Sequence, residues 1–443
     1  VPPAPWDGVR DATRFGATAQ RGDPGITLIP EPTVPGDATL NVNVFTPAPG
    51  QAAALPVLVW IHGGGFISGS PASPWYDGRS FNRDGVVTVT ISYRLGFDGF
   101  GYIAGAPSNR GVRDWLAALE WVRENIAAFG GDPDRVTIGG QSAGGGAVLT
   151  LLGMPSAQHL FRSAWAASSA LGDVSAERAR TYSAKLAHLA GVAPTRAGFA
   201  SVPEERLHAL QNAAGAPDSK DPVAVVAALL AQGLSWGPTV DGDLITRPTV
   251  DSLAAGVGSD KLLVLGATDD EFTMATERER GKLRFVPVGL ALARLGVDRR
   301  RRRGYLADNR AQLRHGTAAF LGRYATDVIF RSTVARVAAA RAEAPTWVYR
   351  FSWPSPTRRW ALHCLDVPFL FDCLDEPHVP AIAGDAPPRR LAAAVHGAAV
   401  GLIRDGDPGW PSWSPGRRTR VFGGAASAPD VVTDGYASVR ALA

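Results

Sequence analysis

Gly140-Gln141-Ser142-Ala143-Gly144 sets a serine hydroxyl between two glycines in the pattern Gly-x-Ser-x-Gly. A serine hydroxyl is a weak nucleophile, so chemistry at it needs an exposed position and a base alongside. A sharp strand-to-helix elbow meets the first need, and its glycines keep side chains from clashing across the turn. The flanks fit: Val136-Thr137-Ile138 reads as a strand and Ala143 to Leu152 as a helix. Glycine is common here (50 residues), so the pentapeptide alone means little. Its placement between strand and helix makes Ser142 the candidate nucleophile of an acyl transfer.

Attack on a carbonyl creates an oxyanion, which needs N–H donors aimed at it. His62-Gly63-Gly64-Gly65-Phe66 follows the apolar run Pro56 to Ile61, and its successive glycines leave backbone N–H groups unobstructed. Loops of this HGGG type in lipases and esterases lie beside the N–H of the residue after the nucleophile. That assigns Gly64, Gly65 and Ala143 as donors. The base should be a late histidine, preceded by an acid. His315, His363, His378 and His396 all qualify, and Asp269-Asp270-Glu271 offers three acids after the run Lys261 to Leu265. Composition does not choose among them. Such chemistry requires neither metal nor organic cofactor.

These groups must be held by a framework. Leu40, Val42 and Val44 alternate with asparagines, as in a strand with one wet face. Pro56 to Ile61 and Val86 to Ile91 are apolar runs, as expected of strands covered on both faces. Asp114 to Ile126 carries Trp115, Leu119, Val122 and Ile126 on one helical face. Lys261 to Leu265 and Thr346 to Phe351 read as later strands. Strands alternating with helices predict an α/β-hydrolase fold with a mostly parallel central sheet. Residues 175 to 232 are Ala-rich and helical in pattern, without a turn-dense linker. They are expected to be insertions within a single catalytic domain spanning 1 to 443.

Forty-five Lys and Arg nearly balance 41 Asp and Glu, so the net charge of +4 does not argue for nucleic acid as a partner. Arg299 to Arg303 reads as a solvated helix face or loop. No apolar run is long enough to span a membrane. Cys364 and Cys373 are the only cysteines and are expected to be free, partly buried thiols. Nothing calls for a partner chain, and a monomer is expected. The start Val-Pro-Pro-Ala-Pro has neither an initiator Met nor a signal-peptide pattern, which leaves the compartment open.

The stretch from Asn109-Arg110-Gly111 through Phe129-Gly130-Gly131-Asp132-Pro133 to Gly144-Gly145 resembles the signature region of type-B carboxylesterases. That family includes bacterial para-nitrobenzyl esterases and the cholinesterases. Ser92-Tyr93-Arg94-Leu95-Gly96 is similar to its Asn-Tyr-Arg-Leu-Gly segment, and Pro238-Thr239-Val240-Asp241-Gly242 to its Pro-x-x-Asp-Gly segment. The likeness runs from about Trp6 to Trp413.

This resemblance implies a serine carboxylesterase acting on a small ester through an acyl-enzyme. Asp270-Glu271 matches the family's Asp-Glu-Gly, which implies Glu271 as the acid, with Phe272 in place of the glycine. His363-Cys364-Leu365-Asp366-Val367-Pro368-Phe369 resembles His-x-x-Glu-Leu-Pro-Phe, which implies His363 as the base. Gln141 stands where many members have Glu. Ala166-Ala167-Ser168-Ser169 is a looser version of Gln-Ser-Gly, which suggests Ser168 as a hydrogen-bonding neighbour of the site. The family's early disulfide is missing, because no Cys precedes Cys364. Its first strands and its Gly-Ile-Pro-Tyr-Ala-type segment would fall before Val1, so an incomplete gorge rim is expected.

Two rivals remain at this level. An esterase of the hormone-sensitive-lipase type shares both glycine motifs but uses Asp as its acid. A non-catalytic binding relative would typically lack a triad member, whereas all three positions are filled here. Phe66, Trp75, Trp236 and Phe272 are read as core before pocket wall.

Overall fold

The computed structural model describes residues 7–22, 27–50, 52–217, 219 and 221–443. Trp6, where the family likeness starts, lies outside the described residues, as do positions 218 and 220 of the helical insertion.

Nine strands make the main sheet: β1 (Val42–Phe45), β2 (Leu55–Ile61), β3 (Val87–Ile91), β4 (Gly131–Gln141), β5 (Ser163–Ala167), β8 (Leu262–Thr268), β9 (Thr346–Phe351), β10 (Arg418–Phe422) and β11 (Val431–Thr433). Between β5 and β8, the short strands β6 (Val174–Ser175) and β7 (Thr239–Val240) pair with each other. The order is β1-β3-β2-β4-β5-β8-β9-β10-β11, and only the edge strands β1 and β11 run antiparallel to their neighbours. The mostly parallel α/β-hydrolase sheet expected from the sequence is therefore present.

Burial explains these strands. Every residue of β3 is buried, and so is all of β2 after Leu55, because helices cover both faces of an interior parallel strand. Helix Arg110–Asn125 turns Trp115, Leu119 and Val122 onto the sheet at 0% exposure. It begins four residues before the predicted Asp114. Asn109 ends the preceding loop at φ 56°, and its amide donates to Thr239 O at 2.8 Å while accepting from Thr239 N at 2.7 Å. That exchange ties the family-like Asn109 segment to the Pro238–Gly242 segment.

Between β6 and β7 lie four helices: Ala176–Ala190, Arg196–Ala200, Glu204–Gly215 and Pro222–Gln232. A second helical excursion, between β8 and β9, runs from Thr273 to Ala340 and has its own small core of Leu292, Val297, Tyr305, Phe320 and Tyr324. Among the described residues, no helix is long and apolar enough to cross a membrane. Phe66, Trp75 and Trp236 are core at 0%, 0% and 3% exposure. Phe272 is half-buried and faces the candidate site, described next.

The chain goes from β2 outward to β3, then crosses back to β4 on the other side of β2. At this switch point the loops leaving the carboxyl ends of β2 and β4 diverge and open a crevice. The loop after β2 is His62–Gly65, and β4 ends at Gln141, one residue before Ser142.

Candidate active site

Ser142 occupies the elbow between β4 and helix Ala143–Leu152 with φ 60° and ψ −124°. A residue with a Cβ is strained there, at about 1–3 kcal/mol. Three backbone bonds hold the turn: Ser142 N donates to Ala167 O at 3.0 Å, and Ser142 O accepts from Gly146 N at 2.9 Å and Ala170 N at 3.0 Å. Neither flanking glycine tolerates a side chain. A Cβ on Gly140 would lie 2.5 Å from the Gly144 carbonyl, and one on Gly144 would lie 2.0 Å from Ile61 O.

The glycine loop presses against this elbow. A Cβ on Gly63 would meet Gln141 O at 2.9 Å and Ser142 Cβ at 3.1 Å. Gly64 and Gly65 take φ values of 101° and 64°, which L side chains rarely adopt. The Gly64 carbonyl accepts from Ile67 N, Ser68 N and Ser68 Oγ at 3.0–3.1 Å, so the loop is a closed turn. Ala143 opens its helix, where the N–H has no partner within the helix. Below the loop, Phe66 packs on Phe100 and Trp115 with ring centroids 5.1 and 5.8 Å apart. His62 stacks on Tyr93 at 4.4 Å, and burial lowers its pKa to about 4, so it stays neutral at pH 7. Gly64→Ala would put its Cβ 2.2 Å from Ser68 O at a strained φ. The expected outcome is a fall in kcat of about 10²–10³, the size seen when one oxyanion donor is lost, with KM changing far less in steady-state assays.

His363 reaches the elbow from the loop after β9. Its Nε2 lies 3.0 Å from Ser142 Oγ, and its Nδ1 is hydrogen-bonded to Glu271 Oε2. Glu271 is 0% exposed, and its Oε1 accepts from Thr268 N at 2.9 Å. The backbone repeats the link, because His363 N donates to Glu271 O at 3.0 Å. Burial disfavours a charged imidazole, but the Glu271 carboxylate and the hydrogen bond to it outweigh this and raise the His363 pKa well above 6.5. The structure thus brings Ser142, His363 and Glu271 together in hydrogen-bonding order.

The other sequence candidates lie elsewhere. His396 bonds Asp84 Oδ2 and Leu370 O at 2.9 and 2.8 Å, and His315 packs on Trp360. His378 caps a short helix in the left-handed region. Asp269 is bound by Arg331 at 2.6 Å and Arg350 at 2.7 Å, and Asp270 lies 3.4 Å from Arg323. Burial pushes the Asp269 carboxyl up, but these guanidiniums outweigh it and hold it well below the usual carboxylate range.

Gln141 touches the site directly: its Nε2 is 3.2 Å from His363 Nε2, and its Oε1 accepts from Cys364 Sγ at 3.4 Å. Both cysteines are free and buried. Ser168 is buried beside the end of β5 at φ 44°, but its hydroxyl has no hydrogen-bond partner among the described residues. Its backbone N–H continues the pairing of β5 with β8, donating to Gly266 O at 2.8 Å.

Sequence reasoning assigns no role beside the triad to three of its neighbours. Phe330 lies on the His363 ring at 4.9 Å and Phe272 at 5.3 Å, fixing the imidazole plane from the apolar side. Phe330 belongs to a π-helical turn, Asp327–Arg331. Such turns concentrate at functional sites, but no residue pattern announces them. The third is Asp366, 4% exposed, whose Oδ2 accepts from Tyr349 OH at 3.2 Å while Oδ1 is unpaired among the described residues. Burial, then the charge of Glu271, pushes its pKa up to about 7. A carboxyl raised on folding destabilises the native state progressively as pH climbs from 3.8 through about 7. Asp366→Asn should therefore gain stability relative to wild type between pH 5 and pH 8, measured as the difference in urea midpoints. An unchanged difference would contradict the raised pKa.

Among the described residues, no group of three or more His, Cys, Asp or Glu could hold a metal ion.

The sheet, the elbow and the glycine loop define a hydrolase of the α/β class, and comparison with known proteins narrows this. The carboxylesterase family model matches residues 1–385. The para-nitrobenzyl esterase of Bacillus subtilis is 32% identical over 433 residues, covering 93% of this chain and 84% of the relative. The phenmedipham hydrolase of Pseudarthrobacter oxydans is 31% identical, covering 100% and 91%. Among solved structures, carboxylesterase EST55 of Geobacillus stearothermophilus superposes with TM-score 0.81 at 32% identity, covering 99% and 90%. The chain belongs to the carboxylesterase family and is a carboxylic-ester hydrolase.

Proposed function

We propose that the chain hydrolyses esters in two steps through an acyl-enzyme on Ser142, within one catalytic domain that includes the helical insertion. The observation that carries this is the chain of contacts from Ser142 Oγ through both nitrogens of His363 to Glu271. With Glu271 accepting from Nδ1–H, Nε2 is free to take the Ser142 proton as the hydroxyl attacks the ester carbonyl. The N–H groups of Gly64, Gly65 and Ala143 receive the oxyanion. His363 then protonates the departing alcohol, the acyl group stays on Oγ, and water repeats the sequence to release the acid. Glu271 stabilises the imidazolium that forms in each half.

Relatives named as a para-nitrobenzyl esterase and a fumonisin B1 esterase support ester hydrolysis without pointing to any one alcohol. Partitioning tests the covalent step. Two esters of the same acid with different alcohols, turned over in the presence of methanol, should give one ratio of methyl ester to free acid. A ratio that follows the leaving group would rule out a shared acyl-enzyme.

A further inference from the structure

The charge of this chain is unevenly spread. Between Glu277 and His315 stand twelve of the 45 Lys and Arg but only four of the 41 Asp and Glu, so the rest of the chain holds more acids than bases. Eleven of these twelve cations are exposed, and Arg302 is half-buried. Three have a carboxylate partner: Arg280 with Glu277 at 3.8 Å, Lys282 with Glu279 at 2.6 Å, and Arg301 with Asp298 at 3.6 Å. The other nine make no ion pair among the described residues. The Arg299–Arg303 run opens helix Arg299–Asp308, where Asp298 caps the N-terminus by accepting from Arg300 N and Arg301 N, both at 2.9 Å. Neither the fold nor hydrolysis accounts for so many unpaired guanidiniums.

Their placement suggests a use. The segment leaves the sheet at the carboxyl end of β8, on the edge where Ser142 also sits, and helix Thr273–Glu277 starts two residues beyond Glu271. It also rests on the loop that carries His363. Arg359 of that loop pairs with Glu277 at 3.9 Å, and Trp360 meets the His315 ring at 5.4 Å. Arg358, exposed and without an ion pair among the described residues, adds a further cation to that loop. Of the carboxylates nearest the triad, Asp270 lies against Arg323, Glu271 against His363, and the buried Asp366 accepts from Tyr349 OH. A one-signed rim around a cleft concentrates ions of opposite charge and speeds their arrival.

Resting on the hydrolase reading above, we propose that this cationic cap makes the enzyme selective for anionic esters, meaning substrates that carry a carboxylate or similar negative group away from the scissile bond. The cap acts on encounter and not on the chemical step, so it raises kcat/KM and leaves kcat nearly untouched. Because exposed charges are screened within about 10 Å at 0.1 M salt and about 30 Å at 0.01 M, the preference is strongest at low ionic strength.

Mono-p-nitrophenyl adipate and p-nitrophenyl hexanoate present the same chain length with and without a terminal carboxylate. For the wild-type enzyme, kcat/KM for the adipate should fall about tenfold between 10 and 300 mM ionic strength, a fall within the span of steering effects, while the hexanoate changes less than about twofold. Arg278→Gln/Arg314→Gln and, separately, Arg299→Gln/Arg300→Gln/Arg303→Gln should lower the adipate value several-fold at 10 mM and leave the hexanoate value intact. Equal salt dependence for the two esters would overturn the proposal, and so would variants that treat both esters alike. The salt comparison uses the native chain, so a variant that folds poorly does not decide the outcome. Hexanoate turnover reports the hydrolase reading independently, so the two can fail separately.

Discussion

Ser142→Ala lowers kcat for p-nitrophenyl esters by about a millionfold, to the level left by binding and the oxyanion hole alone. The loss is this large because no other hydroxyl sits on the elbow. Ser142 Oγ lies 3.0 Å from His363 Nε2, and the neighbouring Ser168 and Ser169 hydroxyls are buried without partners among the described residues. Folding should survive the change. Alanine keeps the Cβ at φ 60°, and the three backbone bonds that hold the turn do not involve the hydroxyl. KM should change little, and the urea midpoint should match wild type. A loss of activity accompanied by a lowered midpoint would point to a structural cause instead.

Glu271→Gln comes next in size, with kcat falling about 10⁴-fold. The amide keeps the volume of the carboxylate but not its charge, so it no longer secures the tautomer that leaves Nε2 free. The comparison is Asp270→Asn, one residue away. Asp270 lies 3.4 Å from Arg323 and makes no contact with the imidazole among the described residues, so its loss should stay within about tenfold. An esterase relying on Asp as its acid would reverse the pair.

The pH profile adds a second readout. In the proposed mechanism His363 works as base only as neutral imidazole, so activity is expected to be lost as pH falls through its pKa. Burial lowers that pKa, but the negative neighbourhood raises it well above 6.5, and the acid limb of kcat/KM should therefore lie above 6.5 in wild type. In Glu271→Gln the raising charge is gone, and the limb should move to lower pH.

Much of the framework could be read from the chain. β2, β3 and β9 stand where their β-branched and aromatic runs lie, because an interior parallel strand needs apolar residues on both faces. β5 went unread because Ser163-Ala164-Trp165-Ala166-Ala167 is poor in β-branched residues. Its place comes from being sandwiched between β4 and β8, not from local propensity. Helix Arg389–Asp405 also went unread, although Ala392, Val395, Ala399 and Leu402 recur at helical spacing on its buried face.

The site divides the same way. The elbow and the glycine loop are local, so Ser142, Gly64, Gly65 and Ala143 are visible as pentapeptide-scale patterns. The proposed acid and base are not. His363 lies 221 residues from Ser142 and 92 from Glu271, and nothing in the spacing separates it from three other late histidines. Family likeness selected both. The structure adds a physical reason in the competing partners: Arg331 and Arg350 engage Asp269, Arg323 lies against Asp270, and Asp84 holds His396. Phe330 and Asp366 depend on a π-helical turn and a buried loop, which have no sequence signal of their own.

The most direct test of the central claim is covalent labelling with a fluorophosphonate, followed by intact mass and peptide mapping. The expected result is one adduct per chain, on Ser142, with no labelling of Ser142→Ala. A wild-type chain that stays unmodified, or a Ser142→Ala chain that labels equally well, would contradict an acyl-enzyme at this serine.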